Sequence, residues 1–211
     1  DTFNQAIRVI LFIGIPASAG LILLRRPLVE LFYERNAFTA ESTSRTSTVI
    51  LFYAIGVWAY STSHVIIRAF YSIQDTKTPV KVGAGMVALN LILNLTLIWF
   101  LREGGLALAT AISATIQIII LFVLLRKKLN ITGHKHIITS AIKTLIATFF
   151  MYVACWITLK AIPTGDGKLM IKSIRLLAPL ATALLAFFTV SFLLKSEELK
   201  YLYASFRRKR E

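Results

Sequence analysis

The sequence predicts an all-α polytopic membrane protein with about six transmembrane helices. Of its 211 residues 56% are hydrophobic and only 16% charged, with a mean hydropathy of +0.71. That balance excludes intrinsic disorder, which needs low hydrophobicity. The apolar residues also run in six continuous stretches, each near the ~20 residues with which a helix crosses a ~30 Å hydrocarbon core. They do not alternate with the period of two that a membrane β-strand requires.

The first stretch covers residues 6–24 and contains Pro16, which should kink it, with Ser18 or a neighbouring helix compensating the lost backbone bond. Residues 27–33, beyond Arg25-Arg26, read as a short amphipathic stretch lying at the outer interface. The second helix spans 48–67 and the third 80–100, the latter introduced by Thr78 as N-cap and Pro79 at the first helical position. A fourth, 105–125, is separated from the third only by residues 101–104. The polar connector from Leu129 to His136 then marks a boundary between four helices in 1–128 and a trailing pair with a basic tail in 129–211. That pair covers 139–159 and 169–194, with Pro179 inside the second member and a turn-rich loop at 162–167 between them.

Net charge is +14, from 24 Lys+Arg against 10 Asp+Glu. On a soluble domain this would suggest nucleic acid, but here the basic residues sit in short runs such as Arg126-Lys127-Lys128 between apolar stretches. That pattern fits membrane lipids and topology anchoring, and no nucleic acid partner is expected. Arg8, Arg68, Lys77, Lys81, Lys135, Lys143 and the tail join that run on one side, outnumbering the basic residues of the other. Both chain ends are therefore expected in the cytoplasm. The chain opens on Asp1 without an initiating Met and reads as a piece of a longer polypeptide. A single cysteine, Cys155, offers no disulfide framework and reads as a small buried hydrophobe.

No Asp or Glu falls well inside the apolar stretches, so paired carboxylates for acid–base chemistry are missing and no enzyme is expected. Asp75 and Glu103 sit in loops and read by default as solvated charges, although Asp75, two residues before Lys77, can also cap the third helix or pair with a neighbour; His134 and His136 form a pair without a third metal ligand nearby. Ser61 and His64 belong to a polar run inside the second helix and, like Gln117 in the fourth, are candidates to face an aqueous cavity or to hydrogen-bond between helices. The strongest constellation spans the third and fourth helices. Gly83, Val87, Asn90 and Asn94 share one helical face, and across the Gly104-Gly105 turn Gly105, Ala109 and Ser113 form a small-residue stripe beside Thr110. The oxygens of Asn90, Asn94 and Thr110, with the backbone carbonyl of Leu106, could hold a monovalent cation such as sodium. The alternative is an Asn–Thr hydrogen-bond clamp.

After the second helix the chain reads Arg68-Ala69-Phe70-Tyr71-Ser72-Ile73-Gln74-Asp75-Thr76-Lys77-Thr78-Pro79-Val80-Lys81. This resembles the RAFYAxxDTxTPV segment of the MurJ/MviN family, lipid II flippases of the multidrug/oligosaccharidyl-lipid/polysaccharide exporter superfamily. Residues 15–20 resemble the family's IPAxxG, residues 31–39 its LFxRGxFT with Asn36 in place of glycine, and residues 105–110 its GLALAT. The resemblance implies the last six of fourteen helices of a bacterial inner-membrane transporter, four from its second lobe and a trailing pair at a lipid-tail groove. It further implies an undecaprenyl-pyrophosphate-linked oligosaccharide as substrate, the missing N-terminal helices as partner, and Arg68, Asp75, Thr76, Thr78 and Pro79 as a cytoplasmic motif loop. Asn94 stands where relatives with a proposed cation site can carry an acid. An exporter of another lipid-linked saccharide or of drugs, and a non-transporting membrane scaffold, are the rival readings.

Overall fold

The computed structural model describes residues 2–34, 38–129, 134–162 and 169–201. Six long helices account for most of them: α1 (Thr2–Phe32), α2 (Ala40–Ser72), α3 (Lys77–Leu101), α4 (Glu103–Leu129), α5 (His134–Ala161) and α6 (Leu169–Leu193). All six are long and apolar enough to cross a membrane, and the described residues contain no strand. Short connections make successive helices antiparallel. Helices α1, α3 and α5 therefore start at one end of the bundle, here called proximal, and finish at the other, distal end.

Packing follows a chain, with α3 on α4, α4 on α2, α2 on α1, and α1 in turn against α5 and α6. Two apolar cores result, and α1 contributes to both. Ile7 joins Ala59, Ile66 and Phe70 of α2 and Ile118 and Leu121 of α4, whereas Phe12 and Leu24 join Met151 and Cys155 of α5 and Ala183 and Phe187 of α6. Helices α2 and α4 meet closely because Gly56 lacks a side chain, since a Cβ there would lie 3.0 Å from the Cα of Ala111. In lipid such close approach matters more than apolarity, which gives helices no preference for one another over acyl chains.

Most helices extend beyond their expected limits, because their polar ends continue the hydrogen-bonded ladder past the apolar core. The largest correction concerns α1. Residues 27–33 are not a separate interfacial stretch: the helix continues through Pro16 and Pro27 to Phe32, with Val29 fully buried. Ser18 does not serve its own helix; its hydroxyl accepts from the Trp58 N–H of α2 at 3.2 Å. Thr39 caps α2 by accepting from the Ser42 N–H. In α4, Glu103 in the first turn and Arg126, Lys127 and Lys128 in the last complement the helix dipole.

Thr78 is not the N-cap of α3. Thr76 already has helical angles and makes no side-chain cap, and the Thr78 N–H is taken by Asp75 Oδ1 at 3.1 Å. Asp75 thus does the capping, three residues ahead of the N–H it satisfies. Pro79 still falls in the first turn, where its missing N–H costs nothing. The preceding helix ends on Gln74 at φ 59, with Gln74 N–H bonded to Tyr71 O and Asp75 N–H to Phe70 O, the paired bonds of a Schellman motif. Lys195 (φ 49) ends α6 in the same way.

Candidate functional site

Helices α3 and α4 are joined by a turn through Arg102 at φ 50, and Gly105 then lies directly under the end of α3. A Cβ on Gly105 would stand 2.5 Å from Leu97 O, so only glycine lets the two backbones come this close. Below that contact the expected constellation is assembled. Asn94 Nδ2 donates to Asn90 Oδ1 at 2.9 Å, Asn90 Nδ2 reaches Thr110 Oγ1 at 3.5 Å, and the Thr110 hydroxyl donates to Leu106 O at 2.7 Å. The four residues make one directed chain from α3 into α4. Its free terminus is Asn94 Oδ1, a buried carbonyl oxygen without a partner among the described residues. Gly83 lies near Gln117, whose Nε2 would be 4.0 Å from a Cβ there, whereas Val87 on the same face is 71% exposed. Ser113 Oγ is likewise buried and unpartnered.

At the proximal end Asp75 is no solvated charge. Besides capping α3 it binds the Lys128 ammonium of α4, so one carboxylate fastens the α2–α3 turn to the end of α4. The Lys128 ammonium, with the Thr78 hydroxyl and N–H, holds the Asp75 carboxyl well below its ordinary range, at about 2. Arg68 and Thr76 are exposed, and Pro79 is buried. Glu103, also expected to be solvated, starts α4 at 3.8 Å from Arg45.

Ser61, His64 and Gln117 are not brought together. Ser61 lies beside Gly14 of α1, Gln117 beside Gly83 of α3, and His64 is exposed. His136 is exposed, the His134 side chain lies outside the described residues, and no group of three His, Cys, Asp or Glu that could hold a metal occurs among those described.

Two features escaped sequence reasoning. A cavity of about 450 Å3 lies between α1 and α6, walled by Phe12, Ile13 and Leu24 on one side and Leu176, Leu184 and Phe188 on the other. It is almost wholly apolar, and α1 supplies one of its walls. At the proximal end, Arg8 of α1 binds Glu197 at 2.7 Å and Glu198 at 2.6 Å, and Ser140 of α5 donates to Glu198 at 2.7 Å. Glu198 is 2% exposed, so a buried charge ties the segment after α6 to α1 and α5. Such a carboxylate is tolerated because it is both paired and hydrogen-bonded. Residues 8 and 198 are too far apart in sequence for any local pattern to reveal the pair.

Fold and polar clamp together define a multi-pass helical membrane protein of the kind that encloses polar groups between helices. The family model "Lipid II flippase MurJ" matches residues 1–176, and the chain belongs to that family. It is 34% identical over 136 residues to the "probable lipid II flippase MurJ" of Vibrio cholerae, covering 64% of this chain and 25% of the relative. To that of Rhizobium tropici it is 27% identical over 210 residues, covering 98% of this chain and 39% of the relative. Among solved structures it resembles "Lipid II flippase MurJ, inward closed conformation", with a TM-score of 0.74 and 25% identity over 93% of this chain and 39% of that one. The chain thus spans a quarter to two-fifths of the length of these proteins.

Proposed function

We propose that this chain is the C-terminal part of a flippase for the lipid-linked peptidoglycan precursor, acting in a bacterial cytoplasmic membrane with the start of α1 and the end of α6 on the cytoplasmic side. The observation that carries the reading is the family match over residues 1–176, joined to likeness in fold across 93% of the chain. The substrate would be the undecaprenyl-pyrophosphate-linked saccharide, moved by alternating access without covalent change. The apolar cavity between α1 and α6 suits an isoprenoid tail, because it offers acyl-like surroundings and almost no polar atom. In cells depleted of their own flippase, the complete transporter carrying these residues should restore growth and lipid II on the outer face. Insertion at normal levels without lipid II movement, but with movement of another lipid-linked saccharide, would reassign the substrate.

The clamp on α3 and α4 is read as a site for sodium within that transporter. Asn94 Oδ1 is buried and unpartnered, and the Thr110 hydroxyl spends its proton on Leu106 O, leaving lone pairs on Thr110 Oγ1. These are hard, neutral oxygen donors, which suit a monovalent cation. Bound there, the cation would supply a positive charge that fixes α3 against α4. Asn90, Asn94, Leu106 and Thr110 would orient it, with Gly105 keeping the helices close enough.

A further inference from the structure

We propose that the cleft floored by α1 between α2 and α5, near the distal end, binds a phosphate oxyanion of the kind a phospholipid head group carries. The cleft encloses about 390 Å3 and is lined by Arg25 and Arg26 of α1, Ser44, Ser47 and Thr48 of α2, and Tyr152 of α5. That is room for more than ten waters at ~30 Å3 each, enough for a phosphodiester with its substituents.

Charge singles out Arg25 among the part-buried cations of this end, Arg102 and Lys160 being exposed. At this end of the bundle Arg175 binds Glu30 at 2.9 Å, Lys172 lies 3.8 Å from Glu34, Arg45 binds Glu41 at 2.8 Å and Arg26 binds Glu30 at 3.0 Å. Arg25 is half-buried, and among the described residues no carboxylate lies within 4.0 Å of it. Its guanidinium donates from Nη1 to Ile22 O at 2.8 Å, which leaves most of its N–H groups without a protein acceptor. Glu30 is shared between Arg26 and Arg175, so the cleft keeps a positive excess. A half-enclosed guanidinium without a counter-charge is costly unless an anion completes it, and a phosphate matches its fork of donors.

Hydroxyl chemistry points the same way. Ser47 and Thr48 both donate to Ser44 O, which fixes their rotamers along the α2 wall. The hydroxyls of Ser44 and Tyr152 have no protein partner among the described residues and remain as donors beside Arg25. Depth then favours a lipid source. With 31 residues α1 is about 46 Å long against a ~30 Å hydrocarbon core, so each end overhangs by roughly 8 Å. Arg25 lies 7 residues before Phe32, about 10 Å from the helix end, which puts it at the boundary where head-group phosphates meet acyl chains and where tyrosine collects.

This site is independent of the flippase reading and is tested on the complete transporter carrying these residues, purified in detergent. Native mass spectrometry with phosphatidylglycerol should show a retained lipid whose affinity falls at least fivefold in Arg25→Gln, and not in Arg45→Gln, which removes a cation already paired. Thr48→Glu, on an exposed wall position that should not disturb folding, would supply an internal carboxylate and abolish the same binding. Thermal stabilisation by inorganic phosphate alone, lost in both variants, with no retained phosphatidylglycerol, would keep the oxyanion site and assign it to free phosphate. Equal binding of lipid and phosphate by wild type, Arg25→Gln and Thr48→Glu, or binding of neither by any of them, would overturn the proposal.

Discussion

Replacing Gly105 by alanine probes the contact on which the candidate site depends. The added Cβ would meet Leu97 O at 2.5 Å, Leu97 C at 2.6 Å and Ile98 N at 3.1 Å, all of them backbone atoms of α3 that cannot rotate away. Relief requires the end of α3 to move off α4. Overpacking of this kind costs ~1–3 kcal/mol. Against it stands the gain of about 1 kcal/mol that alanine brings over glycine inside a helix. Gly85→Ala on α3 separates the two, because a Cβ there meets nothing within 4 Å. Gly105 sits in the first turn of α4 and Gly85 inside α3, so the propensity gain at 105 is no larger than at 85, and Gly105→Ala should be less stable than Gly85→Ala by at least ~1–3 kcal/mol. Reversible unfolding in mixed micelles measures the difference. The same movement should lengthen the Asn90 to Thr110 contact, already 3.5 Å, and weaken any response to sodium. Equal stability of the two variants would refute the close-packing argument.

Four other outcomes are expected. Asn94→Leu loses a bond worth ~0.6–1.7 kcal/mol in a membrane helix but also removes a buried orphan carbonyl, so it should be near neutral unless a cation or an upstream donor completes Oδ1. Asn94→Asp should tighten sodium binding, and calorimetry of the complete transporter showing no sodium-linked heat for either form would leave only the clamp. Asp75 has its carboxyl held at about 2, so its contribution is full above the ordinary carboxylate pKa of ~3.9 and lost as pH falls through about 2. Unfolding of wild type should steepen in that window and Asp75→Asn should flatten it; identical acid profiles would show that Asp75 does not fasten α3 to α4. Cysteines at Ser42 and Thr164 should react with a membrane-impermeant thiol reagent from outside and one at Thr132 only from inside, positions 164 and 132 lying outside the described residues. Outside labelling at Thr132 would invert the topology.

Helix number and order were legible because continuous apolar runs of near-spanning length leave few alternatives. The clamp was legible too: Asn90, Asn94 and Thr110 are polar groups in apolar runs, and such groups must find one another. What escaped depends on long-range placement. The Arg8 to Glu198 pair joins opposite ends of the chain. The α1–α6 cavity arises because α1 serves both the helix group and the trailing pair. Within the run Tyr60 to His64, Thr62 and Ser63 turn their hydroxyls onto Trp58 O and Tyr60 O of their own helix, so those two polar groups are satisfied locally. Likewise Thr78-Pro79 has the composition of a helix start, yet Asp75 reaches the same N–H and shifts the boundary upstream.

Translocation by separated halves tests the proposed function most directly. Alternating access needs two bodies rocking about a central site, of which, under the proposed function, these helices supply part of one. Proteoliposomes holding residues 1–211 alone should move no lipid II, and those holding this chain co-expressed with the upstream helices of its transporter should move it. Translocation by the isolated chain would contradict the two-lobe mechanism. Failure of the paired halves, with both inserted and associated, would contradict the assignment as a flippase.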